Sequence, residues 1–270
     1  MTAAPLRICL LSYRGNPRCG GQGIYMRHLS QELAGLGHQV ELWSGPPYPE
    51  IDAGSGVKLV EVPSLELWNE EHFFRFERLR DLRDPIHRSE WLRTLTGVFD
   101  EPRSFCERVV RRFRQLGHDH GFDVVQDNQS LGTGLLELQR MVPLVTTIHH
   151  PITVDRRLDL ESERSIKRRI GLRRFYRFVP MQLEVAPRLD RVITVSRKAF
   201  HDIQSEFGLD ASRMRIVEVG VNTEQFRPLP GIERRTDRII TTLSADVPLK
   251  GIRFLLEAFA ALRCDRPSLK

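Results

Sequence analysis

Short apolar runs alternate with longer amphipathic stretches over most of the chain. Apolar runs that are bounded by Gly, Pro and Asp are typical of strands buried on both faces of a parallel sheet. Such runs predict seven strands, at Arg7–Tyr13, Gln39–Ser44, Val57–Pro63, Asp123–Asn128, Pro143–His149, Arg191–Ser196 and Met214–Gly220.

Amphipathic helices fit between these strands. One helix is predicted over Gly23–Leu36, where Gly37 follows as a C-cap, and another over Pro102–Leu116, which Gly117 ends. Because strands alternate with helices, the sequence predicts an α/β fold, a doubly wound Rossmann-like parallel sheet with helices on both faces.

Two stretches depart from this alternation. Leu65–Asp100 is rich in Phe, Trp and Arg and is predicted to be an inserted helical excursion. Glu161–Ala186 is predicted to be one long basic helix whose apolar side carries Ile166, Ile170, Phe175, Phe178 and Val185. Basic residues with interleaved aromatics fit contact with an anionic membrane surface. The alternative is a helix whose basic face is solvated and whose apolar side packs on the sheet.

A domain boundary is predicted around residues 227–237, where prolines, a glycine and mixed charges replace the periodic pattern. We therefore expect a first Rossmann-like domain over residues 1–230, then a linker and the first βα unit of a second domain over 231–270. That unit consists of a strand at Arg238–Ser244 and a helix at Gly251–Leu262. One such unit cannot bury a core of its own, so we expect the second domain to be truncated.

Composition narrows the class of protein. The net charge of +6 and the pI near 9.4 fit an anionic partner such as a nucleotide diphosphate or an acidic lipid surface. No nucleic-acid-binding motif accompanies the charge, so we expect no nucleic acid. The four cysteines form no CxxC pair, and no apolar stretch reaches membrane-spanning length. These features predict a cytoplasmic protein, with peripheral contact at the inner face of the membrane as a possibility left open.

The loop after the first strand ends in three closely spaced glycines, Gly20, Gly21 and Gly23, preceded by Arg18. Glycines before a helix N-terminus let the backbone approach an anion, so the loop is a candidate phosphate or sugar site. A flexible loop is the alternative interpretation. Met26 stands where a dinucleotide fingerprint needs glycine, and there is no P-loop, which disfavours a nicotinamide oxidoreductase or an ATPase.

Other candidates follow the later strands, because ligands of doubly wound sheets bind outside the carboxyl ends of the strands. Asn128, Ser196 and Asn222 are predicted to line this cleft. His149 and His150 are adjacent, so at most one of them is expected to face it. His118-Asp119-His120 looks like a metal cluster but is predicted at the opposite edge, and we expect no metal site there.

Several segments, in order along the chain, carry a family resemblance. They are Arg18-Cys19-Gly20-Gly21, Gly37-His38-Gln39-Val40, Thr146-Thr147-Ile148-His149, Arg191 to Ser196, Gly220 to Pro228, and Lys250-Gly251 with the helix that follows. Together they resemble the N-terminal, acceptor-side half of the family 4 (group 1) retaining glycosyltransferases, which have the GT-B fold, plus the opening of its donor-binding domain.

The resemblance implies transfer of a sugar from a nucleotide-diphosphate donor to a carbohydrate or lipid-linked acceptor, with retention and without metal or other cofactor. It implies that Gly20 and Gly21 contact phosphate, that His149 is catalytic beside the transferred sugar, and that Lys250 neutralises the departing diphosphate. The family's usual Arg before that lysine is replaced by Ser244-Ala245-Asp246.

The family's later acidic motif has no counterpart in the 270 residues. We therefore expect this chain alone to be inactive in transfer. A non-catalytic binding or regulatory module derived from such an enzyme is the alternative.

Overall fold

A computed structural model describes residues 4–16, 21–69, 74, 79–233, 235–242 and 250–270. Its strands are β1 (Arg7–Ser12), β2 (Gln39–Ser44), β3 (Val57–Glu61), β4 (Val124–Asn128), β5 (Leu144–Ile148), β6 (Val192–Thr194) and β7 (Met214–Ile216). They form one sheet in the order β3-β2-β1-β4-β5-β6-β7, and every neighbouring pair is parallel. The seven predicted strands are thus confirmed; β2 has the predicted bounds and the other six are shorter, β6 by three residues and β7 by four.

Strand β1 shows why the sheet is covered on both faces. Ile8 and Leu10 pack in one apolar cluster with Met26 of the first helix, whereas Cys9 and Leu11 pack in a second, larger cluster on the other face. Because alternate residues of a strand point to opposite faces, an unbroken apolar run requires helices on both sides. The doubly wound α/β fold class is confirmed.

The helices of the described residues follow the strands as expected for this fold. They are α1 (Gly21–Gly35), α2 (Pro85–Leu95), α3 (Glu101–Leu116), α4 (Leu135–Met141), α5 (Ile152–Ser162), α6 (Ile166–Phe175), α7 (Val179–Val185), α8 (Arg197–Phe207) and α9 (Ile252–Asp265). No helix in these ranges is long and apolar enough to cross a membrane. The helices predicted before Gly37 and Gly117 are α1 and α3. In the excursion over residues 65–100, the described part contains a 3-10 turn at Leu79–Arg83 and α2.

The single long basic helix predicted over Glu161–Ala186 is wrong. The chain leaves α5 at Ser162 and begins α6 at Ile166, because Glu163 and Ser165 have extended backbones. The Ser165 hydroxyl accepts a hydrogen bond from the backbone N–H of Arg168 and so caps the new helix. Beyond α6, a 3-10 turn leads into α7, which has a proline in its first turn.

The predicted strand at Arg238–Ser244 is also not formed over its described residues, 238–242. A strand needs a neighbour, and the seven-stranded sheet includes no segment beyond β7. The backbone of Ile239 instead bonds to the carbonyl of Lys270 at 2.9 Å. The predicted helix at Gly251–Leu262 is present as α9.

Candidate functional site

The carboxyl ends of β4 and β5 bring two of the predicted site residues into contact. The strands pair in parallel, with Asn128 beside Thr147, so the residues that follow them meet at one edge of the sheet. The Nε2 atom of His149 lies 2.8 Å from the Oδ1 atom of Asn128. With the Asn128 carboxamide in this orientation, the imidazole donates through Nε2–H, and its Nδ1 atom carries the lone pair.

The His149 imidazole is held in its neutral form. Its side chain is half-buried, and burial, with a smaller contribution from His150, lowers the pKa of His149 to about 4. The ring of Tyr25 from α1 meets it edge to face, with ring centroids 4.9 Å apart. A neutral imidazole at this edge of the sheet can accept or donate a hydrogen bond at neutral pH, but it has no acidic proton to give.

His150 is oriented differently from His149. Its side chain is about half exposed, and its Nε2 atom lies 3.0 Å from the Oδ2 atom of Asp155 in α5. The two adjacent histidines therefore have different partners, one at the end of β4 and one on a helix.

Gln129 bridges the ends of β4 and β5 with its side chain. Its Oε1 atom accepts the backbone N–H of His149 at 2.7 Å, and its Nε2 atom donates to the carbonyl oxygen of His150 at 2.7 Å. The residue is 5% exposed and has a φ of 54°, a conformation that is uncommon for residues other than glycine.

A buried polar turn supports Gln129. The carboxyl group of Asp127 accepts hydrogen bonds from the backbone N–H and the hydroxyl of Ser130. The Ser130 hydroxyl also lies 3.1 Å from Cys106 Sγ of α3, and the Ser130 carbonyl accepts from Gln182 of α7. Burial raises the pKa of Asp127 to about 7. The turn after β4 is thus anchored in the core.

The loop between β1 and α1 lies at the same edge, because β1 neighbours β4. Arg14 anchors the start of this loop through a two-pronged ion pair with Glu101, with Nη2 2.8 Å from Oε1. Gly23 allows α1 to approach the loop, since a Cβ there would lie 2.1 Å from the carbonyl oxygen of Asn16. The first turn of α1 carries no acidic residue, so its positive dipole end is not neutralised locally.

The remaining predicted site residues do not join the His149–Asn128 contact. Gly21 is the exposed first residue of α1, and Lys250 is exposed just before α9. Ser196 is at the end of β6, but its hydroxyl caps α8 by accepting the Ala199 N–H at 3.1 Å. Asn222 is exposed, and its side chain closes a turn by accepting the backbone N–H groups of residues 224 and 225. Arg18 and Gly20 lie outside the described residues, as do Ser244, Ala245 and Asp246.

The histidines of His118-Asp119-His120 lie where the sequence placed them, between α3 and β4. His120 Nδ1 accepts the backbone N–H of Phe122 at 3.0 Å, which gives this residue a structural role. In the described residues no group of three or more His, Cys, Asp or Glu side chains is arranged to hold a metal ion.

Sequence reasoning missed Gln129 and Tyr25. Gln129 directly follows a strand end, which is the rule that found Asn128, so the same signal was available. Tyr25 lies two residues beyond Gly23 in a helix turn, and nothing in the pattern distinguishes it from a core aromatic residue.

Comparisons with known proteins identify the family to which this chain belongs. The model of Glycosyltransferase Family 4 matches residues 19–225. An MMP alpha-(1->4)-mannosyltransferase from Mycolicibacterium hassiacum is 46% identical over 262 residues, which cover 97% of this chain and 62% of that protein. A D-inositol 3-phosphate glycosyltransferase from Streptomyces coelicolor is 24% identical over 305 residues, covering 98% of this chain and 59% of that protein.

Among solved structures, WaaG, a glycosyltransferase involved in lipopolysaccharide biosynthesis, is 14% identical with a TM-score of 0.49, covering 83% of this chain and 48% of that one. The chain thus spans about 60% of the length of the curated relatives it matches. Both the family model and the 46% identical relative match most of the chain. The chain belongs to glycosyltransferase family 4.

Proposed function

We propose that this chain forms the acceptor-side half of a retaining glycosyltransferase that transfers a sugar from a nucleotide-diphosphate donor to a carbohydrate or lipid-linked acceptor. The observation that carries the proposal is the neutral His149, fixed by Asn128 and Gln129 at the edge where the loops after β1, β4 and β5 meet. At 46% identity, the Mycolicibacterium hassiacum relative supports mannose as the transferred sugar.

In this proposal His149 acts by hydrogen bonding and not by proton transfer. An imidazole whose pKa is about 4 stays neutral at pH 7, and its Nδ1 lone pair can accept a hydroxyl hydrogen of the bound sugar. A group that is fixed before the substrate arrives can stabilise the transition state without reorganisation. The leaving diphosphate is anionic, and in this proposal it is met by the N-terminus of α1 at Gly21, by Gly20, which precedes it in the sequence, and by Lys250.

The polar side chains at the strand ends form the acceptor side of the proposed cleft. Asn128 holds the imidazole, while Arg18, Ser196 and Asn222 are proposed to contact the acceptor. No metal or other cofactor is invoked, because the lysine and the helix terminus can offset the charge of the diphosphate. We also propose that residues 231–270 belong to the donor side and that transfer requires a polypeptide of the relatives' length.

The proposal is tested with the enzyme at that length and with the 270-residue chain, each incubated with mannose nucleotides and sugar acceptors. The expected result is transfer by the longer protein alone, with an α-linked product identified by proton NMR. Acceptor binding without turnover by the longer protein would favour a non-catalytic module. A β-linked product would contradict retention.

A second proposal concerns a membrane surface, and α6 carries it. Of the four side chains that the alternative of packing on the sheet requires, Phe178 and Val185 are buried, but Ile166 and Ile170 are 77% and 45% exposed. On the opposite face of α6, Leu172 and Phe175 contact the protein. The exposed isoleucines are flanked by basic residues, namely Lys167, Arg169, Arg173 and Arg174. Exposed apolar residues within a basic helix are typical of peripheral contact with anionic lipid.

A further inference from the structure

The side chain of Gln129 continues the sheet where its backbone pairing stops. The last β4–β5 register pair joins Asn128 to Thr147, and the backbones then diverge. Gln129 contributes both a hydrogen-bond acceptor and a donor to the peptide units that follow β5, at His149 N–H and His150 C=O. Two bonds from one planar carboxamide fix the backbone between the two histidines.

The turn that contains Gln129 has a backbone that costs free energy to form. Gln129 and Leu131 have φ values of 54° and 50°. Residues other than Gly, Asn and Asp rarely adopt this left-handed backbone conformation. Such conformations persist where the surrounding contacts impose them, and they occur often at functional sites. Here Asp127, Ser130 and Gln182 supply those contacts from within the core.

We propose that Gln129 is a positioning residue for His149, which holds the backbone so that the imidazole stays against Asn128. We call the two hydrogen bonds of Gln129 to His149 N–H and His150 C=O the Gln129 clamp. Its effect on catalysis rests on the proposed function, but its effect on His149 can be measured in the absence of sugar transfer. Among the described residues, the fixed points of His149 are its backbone N–H on Gln129, its Nε2 on Asn128 and its ring on Tyr25. Removal of the first contact leaves His149 held only through its side chain, by Asn128 and Tyr25.

The test compares Gln129→Met with Gln139→Met in the 270-residue chain. Methionine matches the length of glutamine and makes neither hydrogen bond. Gln139 is the control because its Nε2 atom also donates to a backbone carbonyl, that of Arg188 at 3.2 Å, away from His149. In Gln129→Met we expect the His149 amide to exchange its hydrogen about tenfold faster, the change that loss of one hydrogen bond produces. We also expect the imidazole nitrogen shifts to move, and both readings to be unchanged in Gln139→Met. Unchanged His149 signals in Gln129→Met would overturn the proposal.

A kinetic arm uses the enzyme at the length of its relatives. Gln129→Met should lower kcat about 10²-fold with little change in KM, because a reacting group displaced by about 1 Å costs that much. In a His149→Ala background the same substitution should cost nothing further, since its effect passes through His149. Equal losses in both backgrounds would show that Gln129 acts elsewhere. If the longer enzyme transfers no sugar, the proposed function fails, while the exchange and NMR readings still decide whether the clamp exists.

Discussion

The Nε2 atom of His149 lies 2.8 Å from the Oδ1 atom of Asn128 and links the ends of two neighbouring parallel strands. The two residues are 21 positions apart in sequence, and the strand pairing brings them together. With the Asn128 carboxamide in this orientation, the imidazole proton is on Nε2 and Nδ1 is an acceptor. Among the described residues, no hydrogen bond to Nδ1 accompanies this contact.

The protonation state of His149 can be measured directly. Because burial lowers the pKa of the imidazole to about 4, nitrogen NMR should show a neutral ring with the proton on Nε2 from pH 8 down to about pH 5. Asn128→Asp places a carboxylate 2.8 Å from that ring, so it should raise the pKa of His149. A His149 that titrates near pH 6.5, or one that carries its proton on Nδ1, would contradict the geometry.

The close approach of α1 to the loop after β1 predicts a difference between two glycines of that helix. Gly23→Ala should lower the free energy of unfolding by about 1–3 kcal/mol, because the new methyl group meets the backbone of Asn16 and Gly15. Gly35→Ala is the matched control, since nothing lies within 4 Å of its Cβ, and it should raise stability by up to about 1 kcal/mol. Urea unfolding of both variants measures the difference. Equal effects would mean that α1 does not pack on the loop as described.

The strands were predictable because short apolar runs bounded by Gly, Pro and Asp are typical of strands that are buried on both faces of a parallel sheet. The edge of the sheet that carries His149 and Asn128 then followed from the rule for strand ends. The break between α5 and α6 at residues 163–165 was not predictable. Helix propensity is a weak preference, and the cap by Ser165 outweighs it there. The rule for strand ends also applies to Gln129, but the two hydrogen bonds of its side chain could not be predicted, since their partners lie 20 and 21 residues away and no local pattern encodes such pairing.

If α6 contacts lipid, binding of the chain to vesicles should depend both on the lipid charge and on the exposed isoleucines of α6. Co-sedimentation with vesicles should require anionic phosphatidylglycerol and weaken at high salt, because salt shortens the range of the attraction. Lys167→Gln, which removes one charge, should reduce binding about fivefold, corresponding to about 1 kcal/mol per charge near the surface. Ile166→Ser should also weaken it, while Leu36→Ser, at a side chain 74% exposed on the loop after α1, should not. Binding that ignores lipid charge and both α6 substitutions would contradict the second proposal.

The central claim is that His149, and not His150, lies at the reacting centre. It is tested most directly by the kcat of sugar transfer in His149→Ala and His150→Ala variants of the enzyme at its relatives' length. His149→Ala should lower kcat about 10²–10³-fold, the usual cost of removing one preorganised hydrogen-bonding group. His150→Ala should leave kcat close to the wild-type value, because that side chain is half exposed and pairs with Asp155. Equal losses from the two substitutions, or a greater loss from His150→Ala, would contradict the assignment.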